Sequence, residues 1–186
     1  MNTICVYCGA SNGFLQEYSD AAEALGVEMA RRNLGLVYGG GSVGLMGKVS
    51  SAVHTSGGTV LGIIPKELEP AEISGLTPGK VMVTLDMHER KKNMFRCSDA
   101  FIALPGGFGT LEELLEMITW QQLGFHSKPI GILNVSGFFD SLLQFFSEAV
   151  QAGFVSRQAE QALLVSTNPS DLLDKLSSFH LSNQKR

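Results

Sequence analysis

Hydrophobic positions along the chain follow two alternating patterns. Short continuous apolar runs predict buried strands, and apolar residues spaced three or four apart between these runs predict helices. Strands are predicted over 4–7, 35–38, 59–64, 80–85, 100–104, 129–133 and 163–165. Helices are predicted over 15–32, 45–54, 87–97, 111–123 and 138–150, with a last one from residue 172. Strand and helix therefore alternate along almost the whole chain.

This alternation predicts the fold class. Continuous apolar strands separated by helices are typical of a parallel sheet that is covered on both faces. Right-handed crossovers then give an α/β fold, a single-domain, Rossmann-like, doubly wound parallel sheet with helices on both faces. With 186 residues the chain has the length of one domain, which we assign to 1–180, followed by a polar C-terminal tail over 181–186. Ligands of such sheets bind beyond the carboxyl ends of the strands, so we expect the chemistry in the loops there.

Composition narrows the classes of function. The chain has 14 Lys and Arg against 18 Asp and Glu, a formal charge of −4, whereas binding to nucleic acid or an anionic membrane would require a basic surface. No apolar run approaches the roughly 18 residues of a membrane span, and the start of the chain does not have the basic segment of a signal peptide. Three cysteines indicate reduced thiols, since a domain of this size needs no disulfide. We expect a cytoplasmic protein that binds neither nucleic acid nor membrane.

A first glycine-rich loop, Gly39 to Gly44, lies between a predicted strand and a predicted helix. Its Gly-x-Gly-x-x-Gly spacing is that of a dinucleotide-binding turn, in which N–H groups at the helix start hold phosphate. The match is incomplete, because the acidic residue expected about 20 residues later is missing and the next strand runs into Pro65 and Lys66. The hypothesis that the protein is a nicotinamide oxidoreductase is supported by this loop alone. Two interpretations of the loop stay open: it contacts a phosphate or ribose, or it is a purely structural turn.

A second loop, Pro-Gly-Gly-Phe-Gly-Thr-Leu-Glu-Glu over 105–113, carries the sharpest indication of function. Its three glycines allow a ligand to approach the backbone closely. Thr110 is expected to cap the next helix, with Glu113 at the third helical position, as in a capping box. Two acids beside a glycine-lined loop exceed what capping requires. A carboxylate at a helix N-terminus is stabilised as the anion, so it is suited to stabilise a cationic transition state or to orient a water.

A charged segment, Met87 to Lys92, follows the predicted strand 80–85. This position brings Arg90 and Lys91 to the sheet edge that the glycine loops share, and arginine binds phosphate through two parallel hydrogen bonds. A solvated helix face is the alternative, and it is the interpretation we prefer for His88. The sequence contains no cluster of metal ligands, and we expect neither a metal nor a cofactor.

These segments together resemble the LONELY GUY (LOG) family of cytokinin riboside 5′-monophosphate phosphoribohydrolases, whose members are often mislabelled as lysine decarboxylases. The signature Pro-Gly-Gly-x-Gly-Thr-x-x-Glu matches without departure and follows Met-His-Glu-Arg-Lys at 87–91. The resemblance extends from Cys-Gly-Ala-Ser at 8–11 to Asn-Val-Ser-Gly at 134–137. It implies a homodimeric hydrolase that cleaves the N-glycosidic bond of adenosine 5′-monophosphate, prenylated or plain, to free base and ribose 5-phosphate.

The resemblance also implies which residues act. Arg90 and Glu113 match the catalytic pair of the family. An anionic Glu113 would stabilise an oxocarbenium-like sugar and deprotonate water, and Arg90 would orient it and favour the carboxylate form. Backbone N–H groups of the turn at 106–110 would hold the 5′-phosphate. Substrate contacts are implied for Glu72, Arg90, Lys91, Gly106, Gly107, Phe108, Gly109, Thr110, Leu111, Glu112, Glu113 and Thr119, and for Ser11, Gly40 and Gly41 around the phosphate and ribose.

The alternative from another functional class is a non-catalytic nucleotide- or cofactor-binding module of the same fold. A carrier needs no carboxylate that faces the anomeric carbon, so convergence of Arg90 and Glu113 on one hollow distinguishes the two. A decarboxylase would need pyridoxal phosphate on a Schiff-base lysine, and the sequence marks no lysine for that role.

Overall fold

Seven parallel strands form one sheet in this computed structural model, which describes residues 1–68 and 77–184. The strands are β1 (Thr3–Tyr7), β2 (Gly35–Tyr38), β3 (Val60–Pro65), β4 (Lys80–Thr84), β5 (Ala100–Ala103), β6 (Ile130–Leu133) and β7 (Leu163–Ser166). Their order across the sheet is β4-β3-β2-β1-β5-β6-β7, and every neighbouring pair is parallel. The chain winds outward in one direction from β1 to β4 and in the other from β5 to β7. A ligand-binding crevice is expected where the direction changes, between β1 and β5.

Helices cover both faces of the sheet. In the described ranges they are α1 (Gln16–Arg31), α2 (Gly44–Thr55), α3 (Met87–Arg96), α4 (Phe108–Gln122), α5 (Asp140–Gln151), α6 (Arg157–Gln161) and α7 (Pro169–Gln184), with a 3-10 turn at Val135–Gly137. Alternate residues of β1 enter different cores: Ile4 and Val6 pack with α1, α2 and α7, whereas Cys5 and Tyr7 pack with α3, α4 and α5. Both faces are buried, which confirms the predicted doubly wound α/β fold.

One helix that carries predicted site residues begins earlier than the sequence pattern predicts. Helix α4 begins at Phe108, with Gly107 as its N-cap and no side chain capping it. The predicted capping box is therefore wrong, because Thr110 is the third residue of the helix and is buried rather than placed before it. The reason is that the chain turns into the helix immediately after Gly107. Glu113 consequently lies in the second helical turn instead of the first.

The last helix is longer than its apolar pattern indicated. It begins at Pro169, a residue favoured at the first helical position, and the Asn168 side chain accepts a hydrogen bond from the N–H of Asp171 (3.1 Å). It continues to Gln184, so the segment predicted as a polar tail is helical over 181–184. Within residues 1–68 and 77–184, no helix has the length and hydrophobicity that a transmembrane span requires.

Candidate active site

A cavity of about 490 Å³ opens at the carboxyl ends of β1, β2 and β5, where the winding direction changes. This volume lies within the roughly 300–1,000 Å³ typical of small-molecule sites. Arg90 from α3 and Glu113 from α4 both line it, so the convergence that distinguishes an enzyme from a carrier is present. Among residues 1–68 and 77–184, its lining comprises Val6, Tyr7, Cys8, Gly9, Ala10, Ser11, Gly39, Met46, Arg90, Gly107, Gly109, Thr110 and Glu113.

The guanidinium of Arg90 is held by backbone carbonyls at the ends of two neighbouring strands. Its Nε donates to the carbonyl of Ile63 (3.1 Å) and its Nη2 to the carbonyl of Gly39 (3.5 Å). Nη2 also lies 3.7 Å from Oε1 of Glu113, and the two side chains are only 10% and 12% exposed. Arg90 thus reaches from its helix to the carboxyl ends of β2 and β3, where it contacts Glu113.

Burial dominates the ionisation of Glu113. Removal from water is the largest influence and raises its pKa from 4.5 to about 7, although Arg90 and Lys91 lower it. Glu112 and Glu116 raise the pKa further. Arg90 lowers the pKa of Glu113, as expected, but the expected stabilisation of the anion by the helix N-terminus is wrong: burial raises the pKa, and the helix dipole acts within the first turn whereas Glu113 lies in the second. Near neutral pH both the acid and the carboxylate are populated.

The start of α4 contributes Gly107, Gly109 and Thr110 to the lining of the cavity. The first N–H groups of a helix have no acceptor within the helix, and those of Gly109 and Thr110 belong to residues that line the cavity. A Cβ at Gly107 or at Gly109 would have no heavy atom of the described chain within 4 Å. A Cβ at Gly106 would instead lie 2.1 Å from Oγ1 of Thr110. Packing therefore requires glycine at 106, whereas at 107 and 109 glycine leaves space for a ligand.

The first glycine loop is arranged differently. The N–H groups of Leu45 and Met46, at the start of α2, donate to the carbonyl of Gly9 at 3.1 and 3.3 Å. Gly44 has a φ of +64°, and a Cβ there would lie 2.2 Å from the backbone of Ala10. This helix start is thus occupied by the loop after β1, so the phosphate position that a dinucleotide would need at this turn is filled by protein.

The predicted residues around that loop separate into two groups. Ser11 lines the cavity. Gly40 and Gly41 are absent from its lining: a Cβ at Gly40 would meet the side chain of Ile64, and one at Gly41 the side chain of Met46. Close packing accounts for glycine at 41, and at 40 the φ of +84° favours glycine as well.

Several other predicted residues lie outside the cavity of their own chain. The ammonium of Lys91 pairs with Glu112 (2.5 Å) and Glu116 (3.0 Å) of α4. Thr119 lies a further two turns along α4, where its hydroxyl donates to the carbonyl of Leu115 (2.7 Å). Leu111 packs against the core that contains Cys5 and Tyr7, and Phe108 is 93% exposed. The last residue of the predicted set, Glu72, falls outside the described residues.

Tyr7 and Met46 are the two largest of the lining side chains that sequence reasoning missed, the others being Val6, Cys8 and Ala10. Tyr7 is the last residue of β1 and Met46 belongs to the first turn of α2. Both belong to apolar runs that predict core positions. The only available indication was their position in the chain: Tyr7 lies at the carboxyl end of a strand, and Met46 lies at the start of the helix that follows β2.

Known proteins are similar to this chain at the levels of both sequence and structure. Residues 46–176 match a family model described as "Possible lysine decarboxylase". The cytokinin riboside 5′-monophosphate phosphoribohydrolase LOG4 of Arabidopsis thaliana is 56% identical over 176 residues, covering 95% of this chain and 82% of that protein. The probable cytokinin riboside 5′-monophosphate phosphoribohydrolase LOGL2 of Oryza sativa subsp. japonica is 54% identical over 182 residues, 98% of this chain and 75% of its own. A solved Moco carrier protein from Chlamydomonas reinhardtii shares the fold, with a TM-score of 0.73 at 21% identity over 97% of this chain and 98% of that one.

Proposed function

Because the chain belongs to the LOG family, we infer that it is a hydrolase that cleaves the N-glycosidic bond of a nucleoside 5′-monophosphate. Relatives that are 53% to 56% identical over nearly the whole chain are named as cytokinin riboside 5′-monophosphate phosphoribohydrolases. The substrate is then adenosine 5′-monophosphate, prenylated or plain, and the products are the free base and ribose 5-phosphate. The observation that carries this function is the contact of Arg90 with Glu113 inside a cavity that the start of α4 also lines.

The start of α4 is the position we propose for the 5′-phosphate. Its N–H groups attract an anion, and the space beside Gly107 and Gly109 admits one. A phosphate at this end places the ribose over the cavity, with Glu113 one further turn along the same helix. Fixing the sugar through its phosphate supplies the orientation that makes attack by water efficient.

The proposed reaction follows from the charges. The C1′–N bond breaks, its electron pair leaves with the base, and the sugar becomes oxocarbenium-like. The carboxylate of Glu113 stabilises this cation and takes a proton from the water whose oxygen bonds to C1′. That proton balances the one that the departing base nitrogen acquires. Arg90 keeps part of the Glu113 population ionised, since its charge lowers the pKa of the carboxyl.

The family description names a decarboxylase, a chemistry that requires pyridoxal phosphate bound to a lysine. None of the residues that line the cavity in the described part of the chain is a lysine. Lys91, next to Arg90 in sequence, is paired with two glutamates of α4. These residues do not fit that cofactor.

Direct assay of the products tests the proposed function. Purified protein incubated with adenosine 5′-monophosphate and, separately, with its isopentenyl derivative is expected to release base and ribose 5-phosphate, measured by chromatography. Adenosine is the control, and its turnover should be far slower because it has no phosphate for the start of α4. Tight binding of the monophosphate without base release over many hours would contradict hydrolysis and favour a carrier.

Gly107→Ala tests the phosphate position. The new methyl group has no heavy atom of the described residues within 4 Å but enters the space proposed for the phosphate, so KM for the monophosphate should rise about tenfold, equivalent to about 1.4 kcal/mol. The melting temperature should stay unchanged. Gly106→Ala is the contrasting variant: its methyl would collide with Thr110, so it should lower the melting temperature. An unchanged KM in Gly107→Ala would place the phosphate elsewhere.

We propose that the chain forms a homodimer through α4. Phe108, Leu115 and Leu123 are exposed by 93%, 40% and 61%, and their spacing places them along one side of that helix. Monomeric proteins rarely expose a large contiguous apolar patch. Thr119 lies on the same side, so in a dimer it would approach the partner rather than the cavity of its own chain.

Leu123→Glu is expected to convert this dimer into a monomer, because it puts a charge into the apolar contact. Light scattering at micromolar concentration measures the mass of both proteins. Lys92→Glu is the control variant, since it places the same charge on the exposed surface of α3. A monomeric parent protein would contradict the proposal.

We also propose a cytoplasmic location. It is supported by the three cysteines, whose thiols are all free. Cys5 and Cys8 are buried in opposite cores and cannot form a disulfide with each other without rearrangement.

A further inference from the structure

Gly39, the first residue after β2, lies directly against the guanidinium of Arg90. A Cβ at this position would stand 2.3 Å from Nη2 of Arg90 and 3.1 Å from the sulfur of Met46. The backbone does not require glycine here, because Gly39 is not among the described residues with a positive φ. The proposed function does not use this glycine. Its lack of a side chain is therefore explained by the neighbouring arginine.

We propose that Gly39 is a positioning residue for Arg90, defining by its missing side chain and by its carbonyl where the guanidinium lies. This inference rests on the proposed function, in which Arg90 acts on Glu113. The Gly39 carbonyl accepts from Nη2, and the Ile63 carbonyl on the adjacent strand accepts from Nε. The ends of β2 and β3 thus fix the guanidinium 3.7 Å from the carboxylate.

An alanine at position 39 would displace the guanidinium of Arg90 and leave the backbone fold unchanged. The colliding atom is the far end of a flexible side chain, so the chain can relieve the clash by moving Arg90. Ordinary contact requires about 3.4 Å, so the guanidinium must retreat by about 1 Å, and a misplacement of about 1 Å can cost on the order of 100-fold in rate. Most of this loss should appear in kcat, since the phosphate position at α4 is untouched.

A second consequence concerns pH. Glu113 faces Arg90 and Lys91 from α3, Glu112 and Glu116 on its own helix, and the side chains of Cys5, Tyr7 and Cys8 of β1 and its following loop. Of these groups only Arg90 and Lys91 lower its pKa. Moving the guanidinium away therefore raises that pKa and shifts the acidic limb of the kcat profile to higher pH.

A double-mutant cycle tests the proposal with the substrate adenosine 5′-monophosphate. Gly39→Ala is expected to reduce kcat about 100-fold, with a smaller change in KM. In an Arg90→Ala background, the same glycine substitution should reduce kcat by less than about twofold, because the group it displaces is already absent. Gly35→Ala is the matched control: it lies at the other end of β2, where its methyl would meet the hydroxyl of Thr59, and kcat should stay at the wild-type value.

The outcomes separate this inference from the function on which it rests. Absence of base release by the wild-type protein would refute the function itself. With an active wild-type protein, a normal kcat in Gly39→Ala overturns the inference, and so does a loss of equal size in the Arg90→Ala background. A Gly39→Ala chain that does not unfold cooperatively also overturns it, since the strain would then lie in the backbone. Arg90→Lys gives a further test, because lysine has no Nη2 to collide, so Gly39→Ala should cost less in that background.

Discussion

Glu113→Gln is expected to reduce kcat for adenosine 5′-monophosphate about a thousandfold, within the roughly 10²–10⁴-fold that a general acid–base group contributes. Glutamine keeps the size of the side chain but can neither carry the negative charge that opposes the oxocarbenium-like sugar nor accept a proton from water. KM should change little, because the proposed phosphate position lies one turn away. Initial rates of base release measure both quantities. Wild-type turnover in this variant would remove Glu113 from the mechanism.

The pH dependence of the wild-type protein follows from the same carboxyl. Its pKa is raised to about 7, chiefly by burial, and only the ionised form accepts the proton. kcat/KM should therefore fall tenfold per pH unit well below pH 7 and level off above it. The acidic limb should be absent from the residual activity of Glu113→Gln. A wild-type profile that is flat from pH 5 to pH 9 would contradict the assignment.

Stability supplies the control for Glu113→Gln. The folded protein holds the Glu113 proton up to about pH 7, whereas the unfolded chain releases it near pH 4.5. The contribution of Glu113 to folding stability therefore falls by about 3 kcal/mol as the pH rises from 4.5 through 7. Glutamine has no such penalty, so urea denaturation should find the variant more stable than wild type at pH 8.5 and about equal at pH 4.5. If the variant were less stable than wild type at both pH values, its loss of activity would be explained by damage to the fold.

The fold could be predicted because its determinants are local. Strands β1, β2 and β5 are continuous apolar runs, since both of their faces are covered, and the amphipathic period of each following helix is visible in a window of a dozen residues. The place of the cavity followed in turn, because the carboxyl ends of parallel strands share one edge of the sheet. The pairing of Arg90 with Glu113 was accessible for this reason, together with the resemblance of the motifs.

The finer properties of the site depend on contacts between distant segments. The start of α2 is occupied by the carbonyl of Gly9, about 35 residues earlier in the chain, so the Gly-x-Gly-x-x-Gly pattern alone could not distinguish a phosphate position from a structural junction. The pKa of Glu113 depends on its burial and on the charges of Arg90 and Lys91, which belong to a different helix. The two carbonyls that hold Arg90 belong to the residue after β2 and to a residue of β3. The motif that contains the arginine does not reveal the strand register that brings these carbonyls together.

Arg90→Ala is expected to reduce kcat at pH 7 about 100-fold, for two reasons that pH can separate. Loss of the guanidinium removes the largest influence that lowers the pKa of Glu113, so less of the active carboxylate is present at pH 7. It also removes the charged partner that lies 3.7 Å from the carboxylate, and a misplaced catalytic group costs on the order of 100-fold. The measurement is kcat as a function of pH from 6 to 10, with Arg90→Lys as the control that keeps the charge without the planar fork of donors.

The two reasons predict different behaviour in alkaline solution. If Arg90 only ionises Glu113, kcat of Arg90→Ala should return to the wild-type value once the pH exceeds the raised pKa. If Arg90 also positions the carboxylate, a deficit should persist at every pH, and the two carbonyls that accept from it favour this second outcome. Arg90→Lys should then restore the position of the acidic limb while recovering little of kcat. Wild-type turnover of Arg90→Ala at pH 7 would exclude both roles.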